Sequence, residues 1–140
     1  MPNEQTTAKH VLVVDDEPDF ADLLKSILAG AGYEVTVAHN SDQALDSARQ
    51  CKPDLITLDI HMPRKSGVFF FRKLTEDEAF RDVPVVVVTG LTRDGEMQNL
   101  IRRLLDAEDL PSPRAYLEKP IEREHFLETI RQMLESSKSA

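Results

Sequence analysis

At 140 residues the chain has the length of one domain, long enough to bury a continuous core and too short to add a DNA-binding module of ordinary size. With 30% charged and 41% hydrophobic residues it is a globular mixture, and a net charge of −8 without a long Lys/Arg run argues against direct nucleic-acid binding. Cys51, the single cysteine, allows neither an internal disulfide nor a cysteine-based zinc site. The N-terminal stretch carries no secretory pattern and no apolar run reaches membrane-spanning length, so a cytoplasmic protein without a membrane anchor is expected.

In chain order, hydrophobic periodicity alternates between short apolar runs and helical stripes, five pairs in all, as expected for a parallel sheet with crossover helices. Val11 to Val14 forms the first strand. Pro18 follows at a first-turn position behind the cap candidates Asp16 and Glu17, and Phe20, Leu23, Leu24, Ile27 and Leu28 mark one buried helix face that stops at Gly30 and Gly32. Tyr33, Val35 and Val37 alternate with Glu34 and Thr36, which suits an edge strand, and a short helix is expected over Ser41 to Gln50. Leu55 to Leu58 makes the third strand. A loop with Met62, Pro63 and Gly67 leads into a helix through Val68, Phe71 and Leu74, in which Phe69, Phe70 and Phe71 cannot all face inward, with at least two expected in the core.

Val85 to Val88 is the most apolar run and is expected to be central. Met97, Leu100, Ile101, Leu104 and Leu105 mark another helical face. Pro111-Ser112-Pro113 then forces an extended link into a fifth strand at Ala115 to Leu117. A last helix is expected from about Glu122 to Leu134, with Phe126, Ile130 and Leu134 inward. The fold class is therefore α/β, a doubly wound, flavodoxin-like, five-stranded parallel sheet of order 2-1-3-4-5 with helices on both faces. Residues 1–140 form a single domain with its core at about 9–135 and flexible tails at 1–8 and 136–140.

That topology brings chemistry-capable residues from four strands to one crevice: Asp15 and Asp16 after the first, Asp59 after the third, Thr89 after the fourth and Lys119 after the fifth. Taken singly each has a bland reading, as a helix cap, a solvated strand end or an ordinary turn. Their joint placement favours chemistry. Crowded carboxylates repel unless a cation compensates, and an oxygen donor set suits Mg²⁺. Phosphoryl transfer requires positioning and charge neutralisation, with Asp59 as nucleophile and Mg²⁺, the Lys119 ammonium and the Thr89 hydroxyl meeting the phosphoryl oxygens.

Val13-Val14-Asp15-Asp16-Glu17, Leu58-Asp59-Ile60-His61-Met62-Pro63, Val88-Thr89-Gly90 and Glu118-Lys119-Pro120 together resemble the signature of response regulator receiver domains, and the likeness covers nearly the whole chain. The resemblance implies two-component signalling: Asp59 takes a phosphoryl group from a histidine kinase or phosphotransfer protein, with Mg²⁺ held by Asp15, Asp16, Asp59 and the backbone carbonyl of His61. It further implies that Thr89 and Tyr116 switch a surface read by a downstream effector protein, and that the domain is no enzyme beyond its own phosphorylation and dephosphorylation. The His61 side chain has two readings, one that tunes the lifetime of the phosphate and one that is merely solvated. Thr89 and Lys119 stand thirty positions apart, more than the family usually has, with the added length around Ala107 to Arg114.

Two other classes share parts of the pattern. A Mg²⁺-dependent phosphohydrolase with an aspartyl-phosphate intermediate is expected to carry an acid/base carboxylate two residues after the nucleophile, where this chain has His61. An unphosphorylated scaffold on the same fold need not retain Asp15, Asp16, Asp59, Thr89 and Lys119 together.

Overall fold

The structure, a computed structural model, describes residues 8–59, 66–89, 103, 106, 115–118 and 120–138. The strands are β1 (His10–Val14), β2 (Glu34–Ala38), β3 (Leu55–Asp59), β4 (Val85–Thr89) and β5 (Ala115–Glu118), and the helices are α1 (Pro18–Gly30), α2 (Ser41–Gln50), α3 (Ser66–Glu76) and α4 (Arg123–Lys138). Arg103 and Asp106 also have helical backbone. The expected helical face at Met97, Leu100, Ile101, Leu104 and Leu105 lies outside the described residues, as do the Pro111-Ser112-Pro113 link and the Ala107 to Arg114 stretch.

All four strand pairings are parallel, in the order β2-β1-β3-β4-β5. The strand residues explain why this sheet is covered on both faces. Along β1, Val11 and Val13 pack into one core with Leu55 and Val86, while Leu12 and Val14 pack into the other with Ile56, Leu58, Val85 and Val87. The first core is closed by Ala21, Leu24 and Leu28 of α1 and Phe126, Ile130 and Leu134 of α4, the second by Ala44, Leu45 and Ala48 of α2 and Phe70, Phe71 and Leu74 of α3. A strand buried on both faces needs a largely apolar run, which β1 and β4 show from Val11 to Val14 and Val85 to Val88, and which β3 shows with one buried polar residue, Thr57, inside it.

β2, paired with β1 alone, is one edge strand and β5, paired with β4 alone, the other; the exposed or half-buried residues of β2 from Glu34 to Val37 agree with the edge position expected for it. β4 is an interior strand flanked by β3 and β5, as its apolar run and the order 2-1-3-4-5 lead one to expect. Two details differ from the reading by sequence. Leu23 is 48% exposed, since α1 turns only Ala21, Leu24 and Leu28 fully into the core, with Phe20 and Ile27 flanking. α4 continues to Lys138, four residues past Leu134.

The contrast on α1 has a measurable consequence. Leu28→Ala, which empties a fully buried position, is expected to cost about 2–5 kcal/mol in urea unfolding, and Leu23→Ala less than about 0.5 kcal/mol. Equal costs would show that the α1 face is turned differently.

α1 ends in a Schellman arrangement. The Tyr33 amide donates to the Leu28 carbonyl at 3.1 Å and the Gly32 amide to that of Ala29 at 3.1 Å, which puts Gly32 at φ +97°, a left-handed conformation that side chains resist. A Cβ at Gly32 would meet nothing within 4 Å, so the penalty of Gly32→Ala is backbone strain alone, expected at about 1 kcal/mol in the same unfolding assay. No loss of stability would mean that the turn accepts another conformation.

On the outer surface of α4, Arg131 is bracketed by Glu128 and Glu135, and its hydrogen bond holds the Glu128 carboxyl below the usual range. Burial pushes the nearby Tyr33 phenol up, an effect that Arg131 partly offsets. No described helix is long and apolar enough to cross a membrane.

Candidate functional site

Chain order reverses direction in the sheet at β1, whose neighbours are β2 on one side and β3 on the other. The crevice beyond the carboxyl ends of β1 and β3 is where such sheets hold ligands. Asp15 leaves β1 there, 1% exposed, with its amide donating to the Ala38 carbonyl of β2 at 3.0 Å, and Asp59 ends β3 at 3% exposure. Both are carboxylates among apolar strands. Charges so placed are retained where something compensates for lost solvation.

The loop between β1 and α1 supplies a third carboxylate. Glu17 donates its amide to Asp15 Oδ1 at 2.9 Å, an Asx turn that folds the chain back over the strand end. By position Glu17 is the N-cap of α1, yet its side chain makes no capping hydrogen bond. Its carboxylate oxygen instead gathers with those of Asp15 and Asp59, all within 4.8 Å of one another. Sequence reading gave Glu17 only a capping role, although an Asp just before a helix can accept from the backbone amide two residues on, and that Asx turn is the signal that could have found it. Asp16, expected among the metal ligands, is half-buried and stands outside this trio, because the same turn carries Glu17 rather than Asp16 round to the crevice.

The other expected site residues are only partly placed. Thr89 closes β4, in register with Glu118 on β5, and Val88 beside it pairs with Asp59, so these strand ends meet the crevice edge together. The Thr89 side chain, Lys119 and His61 lie outside the described residues. Tyr116 is half-buried on β5 opposite Val87 and packs against the core shared by α2 and α3.

Three carboxylate oxygens within this distance, two of them on deeply buried residues, form an oxygen-only donor set with a concentrated negative charge. That chemistry fits a hard divalent cation of the Mg²⁺ or Ca²⁺ kind better than a thiolate- or imidazole-seeking metal. Two features, a doubly wound sheet with a 2-1-3-4-5 order and a buried acidic crevice at its switch point, define the class as flavodoxin-like α/β domains with an oxygen-donor site.

The family model for the response regulator receiver domain matches residues 11–131, and the chain belongs to that family. It is thus a two-component signalling protein, and the Asp15, Glu17 and Asp59 cluster fits the family's phosphorylation site. Among its relatives, the polar-differentiation response regulator DivK of Brucella anthropi is 32% identical over 126 residues, covering 90% of this chain and 96% of that protein. Among solved structures, a CheY-like response regulator receiver domain protein from Methanospirillum hungatei superposes with a TM-score of 0.79 at 26% identity, covering 95% of this chain and 98% of the other. The signal receiver domain of a histidine kinase from Syntrophus aciditrophicus also scores 0.79 at 26% identity, with 95% of each chain covered.

Proposed function

We propose that Asp59 is the phosphoacceptor of this receiver domain and that the donor is a phosphohistidine on a histidine kinase or phosphotransfer protein. The observation that carries the reading is the buried Asp15 and Asp59 pair, with Glu17 closing over it, at the switch point of the sheet. An Asp59 carboxylate oxygen attacks phosphorus as the phosphorus–nitrogen bond breaks, and the departing imidazole keeps the electron pair and takes up a proton. Hydrolysis of the resulting acyl phosphate returns the carboxylate and inorganic phosphate.

Asp15 and Asp59 would offer Mg²⁺ buried carboxylates, the adjoining Asp16 and Glu17 more exposed ones, and His61 its backbone carbonyl. Bound there, Mg²⁺ neutralises negative charge on the transferring group. The burial of Asp15 and Asp59 keeps them in place and limits water around the reacting oxygen. Lys119 pairs its ammonium with a phosphoryl oxygen, and the Thr89 hydroxyl donates to another.

Drawing Thr89 inward alters the space beside β5, and the half-buried Tyr116 turns with it, changing the surface met by a downstream effector protein. The domain acts on itself alone, without nucleic-acid or membrane contact. A protein served by the cytoplasmic half of a kinase works in the cytoplasm, which suits the exposed thiol of Cys51.

The test uses acetyl phosphate as donor and follows intact mass with Mg²⁺ and with a chelator. Gain of one phosphate that requires Mg²⁺ is expected. No gain, either from acetyl phosphate or from a phosphorylated phosphotransfer protein, would turn the assignment toward an unphosphorylated scaffold.

A further inference from the structure

We propose that His39 is a positioning residue for the acidic loop, clamping Asp15 from β2 while being held itself by the start of α2; the functional side of this proposal rests on the phosphoacceptor reading above. The His39 ring nitrogen Nδ1 lies 3.1 Å from the Asp15 backbone oxygen. A carbonyl oxygen only accepts, so Nδ1 carries the hydrogen and donates it.

The backbone that carries the ring is held as well. The His39 amide donates to Gln43 Oε1 at 2.9 Å, while the Gln43 amide donates to Asn40 Oδ1 at 2.8 Å, a capping box in which Gln43 reaches one residue further back than usual. Support therefore runs from the first turn of α2 through Gln43 to the His39 backbone amide, and from the His39 ring on to the Asp15 carbonyl. It ends where Asp15 Oδ1 accepts from the Glu17 amide at 2.9 Å. Beside it, the Asp15 amide donates to the Ala38 carbonyl at 3.0 Å, so Ala38, the last residue of β2, and His39, the next one, grip Asp15 through its amide and its carbonyl.

A loop presenting carboxylates in mutual repulsion tends to spread, and each such bond opposes that spreading. His39 itself is exposed and lies in the edge-strand turn, where a polar side chain has no packing role to explain its placement. It thus acts through Asp15 and makes no claim on the phosphoryl group.

Three variants separate the donor from the ring. Asparagine places its amide nitrogen as many bonds from the backbone as Nδ1, glutamine places it one bond further, and leucine has no donor. The first readout is hydrogen exchange of the Glu17 amide without any phosphodonor, and the second is the Mg²⁺ concentration for half-maximal phosphorylation by acetyl phosphate. His39→Leu and His39→Gln are expected to speed Glu17 exchange and raise the Mg²⁺ requirement by roughly five-fold each, the effect of one hydrogen bond, whereas His39→Asn recovers most of the loss. Melting temperature serves as the control for a merely structural change. Unchanged exchange in His39→Leu, or His39→Asn as impaired as leucine, overturns the proposal. If wild type itself takes no phosphate, the phosphoacceptor reading falls, and the exchange arm still decides whether His39 braces the loop.

Discussion

Asp59→Asn is expected to abolish the Mg²⁺-dependent phosphate gain, leaving labelling slower by at least about a hundred-fold. The amide is nearly isosteric with the carboxylate and keeps its oxygen, but its lone pairs are drawn into amide resonance and no longer form a stable acyl phosphate. Asp59 is buried at the end of the middle strand, so the substituted side chain occupies the same space, and the variant should fold at least as well as wild type. Intact-mass spectrometry of both proteins after identical incubation reads the outcome. Phosphate gain at the wild-type rate in Asp59→Asn would move the acceptor elsewhere in the chain.

The second large effect concerns stability. Two full charges 4.8 Å apart repel by roughly 3 kcal/mol at an effective dielectric constant of about 20, and Asp15, Glu17 and Asp59 place three within that distance. Allowing for the exposure of Glu17 and for relaxation, Asp15→Asn is expected to raise the stability of the metal-free protein by about 1–2 kcal/mol, since asparagine keeps the Oδ1 acceptor that the Glu17 amide uses. Mg²⁺ should act oppositely on the two proteins. At about a hundred times its dissociation constant it stabilises wild type by roughly 2.7 kcal/mol, a melting shift on the order of 10 °C, and leaves Asp15→Asn little changed. Thermal unfolding with and without Mg²⁺ measures both quantities. A variant that is less stable without metal and still gains the full shift with it would show that these carboxylates neither crowd one another nor hold the ion.

The same crowding explains what could be read from sequence. Strands β1, β3 and β4 announce themselves because each is buried on both faces and must be mostly apolar, as Val11 to Val14 and Val85 to Val88 are without a break and Leu55 to Leu58 is apart from Thr57. β2 is equally plain for the opposite reason, since an edge strand with partly exposed faces alternates. Buried helix residues such as Phe126, Ile130 and Leu134 follow from their spacing, and Phe70 and Phe71 account for the two core phenylalanines expected of the three.

Periodicity was less informative where burial stops deciding. Leu23 sits at the edge of the apolar stripe of α1, and a stripe drawn from hydrophobicity alone takes it in, although the helix rotation leaves it to solvent. The end of α4 was placed too early because Glu135 to Lys138 carry no apolar signal, while polar residues continue a helix without difficulty. Asp15 and Asp59 were legible as site residues because topology alone brings the ends of β1 and β3 together. The presence of Glu17 beside them was not, since it depends on one local turn, the Glu17 amide to Asp15 Oδ1. His39 was invisible for a different reason: its partner lies 24 positions away, and an exposed histidine beside a capping asparagine has no sequence pattern that points across the sheet.

The account turns on the identity of one atom, the oxygen that receives the phosphoryl group. Borohydride reduction of the freshly phosphorylated protein converts an aspartyl phosphate into homoserine, so peptide mapping locates the acceptor directly. Homoserine at position 59, absent from the Mg²⁺-free sample, is the expected result, and homoserine at Asp15 or Asp16, or a phosphate that survives reduction on a histidine or hydroxyl side chain, would contradict it.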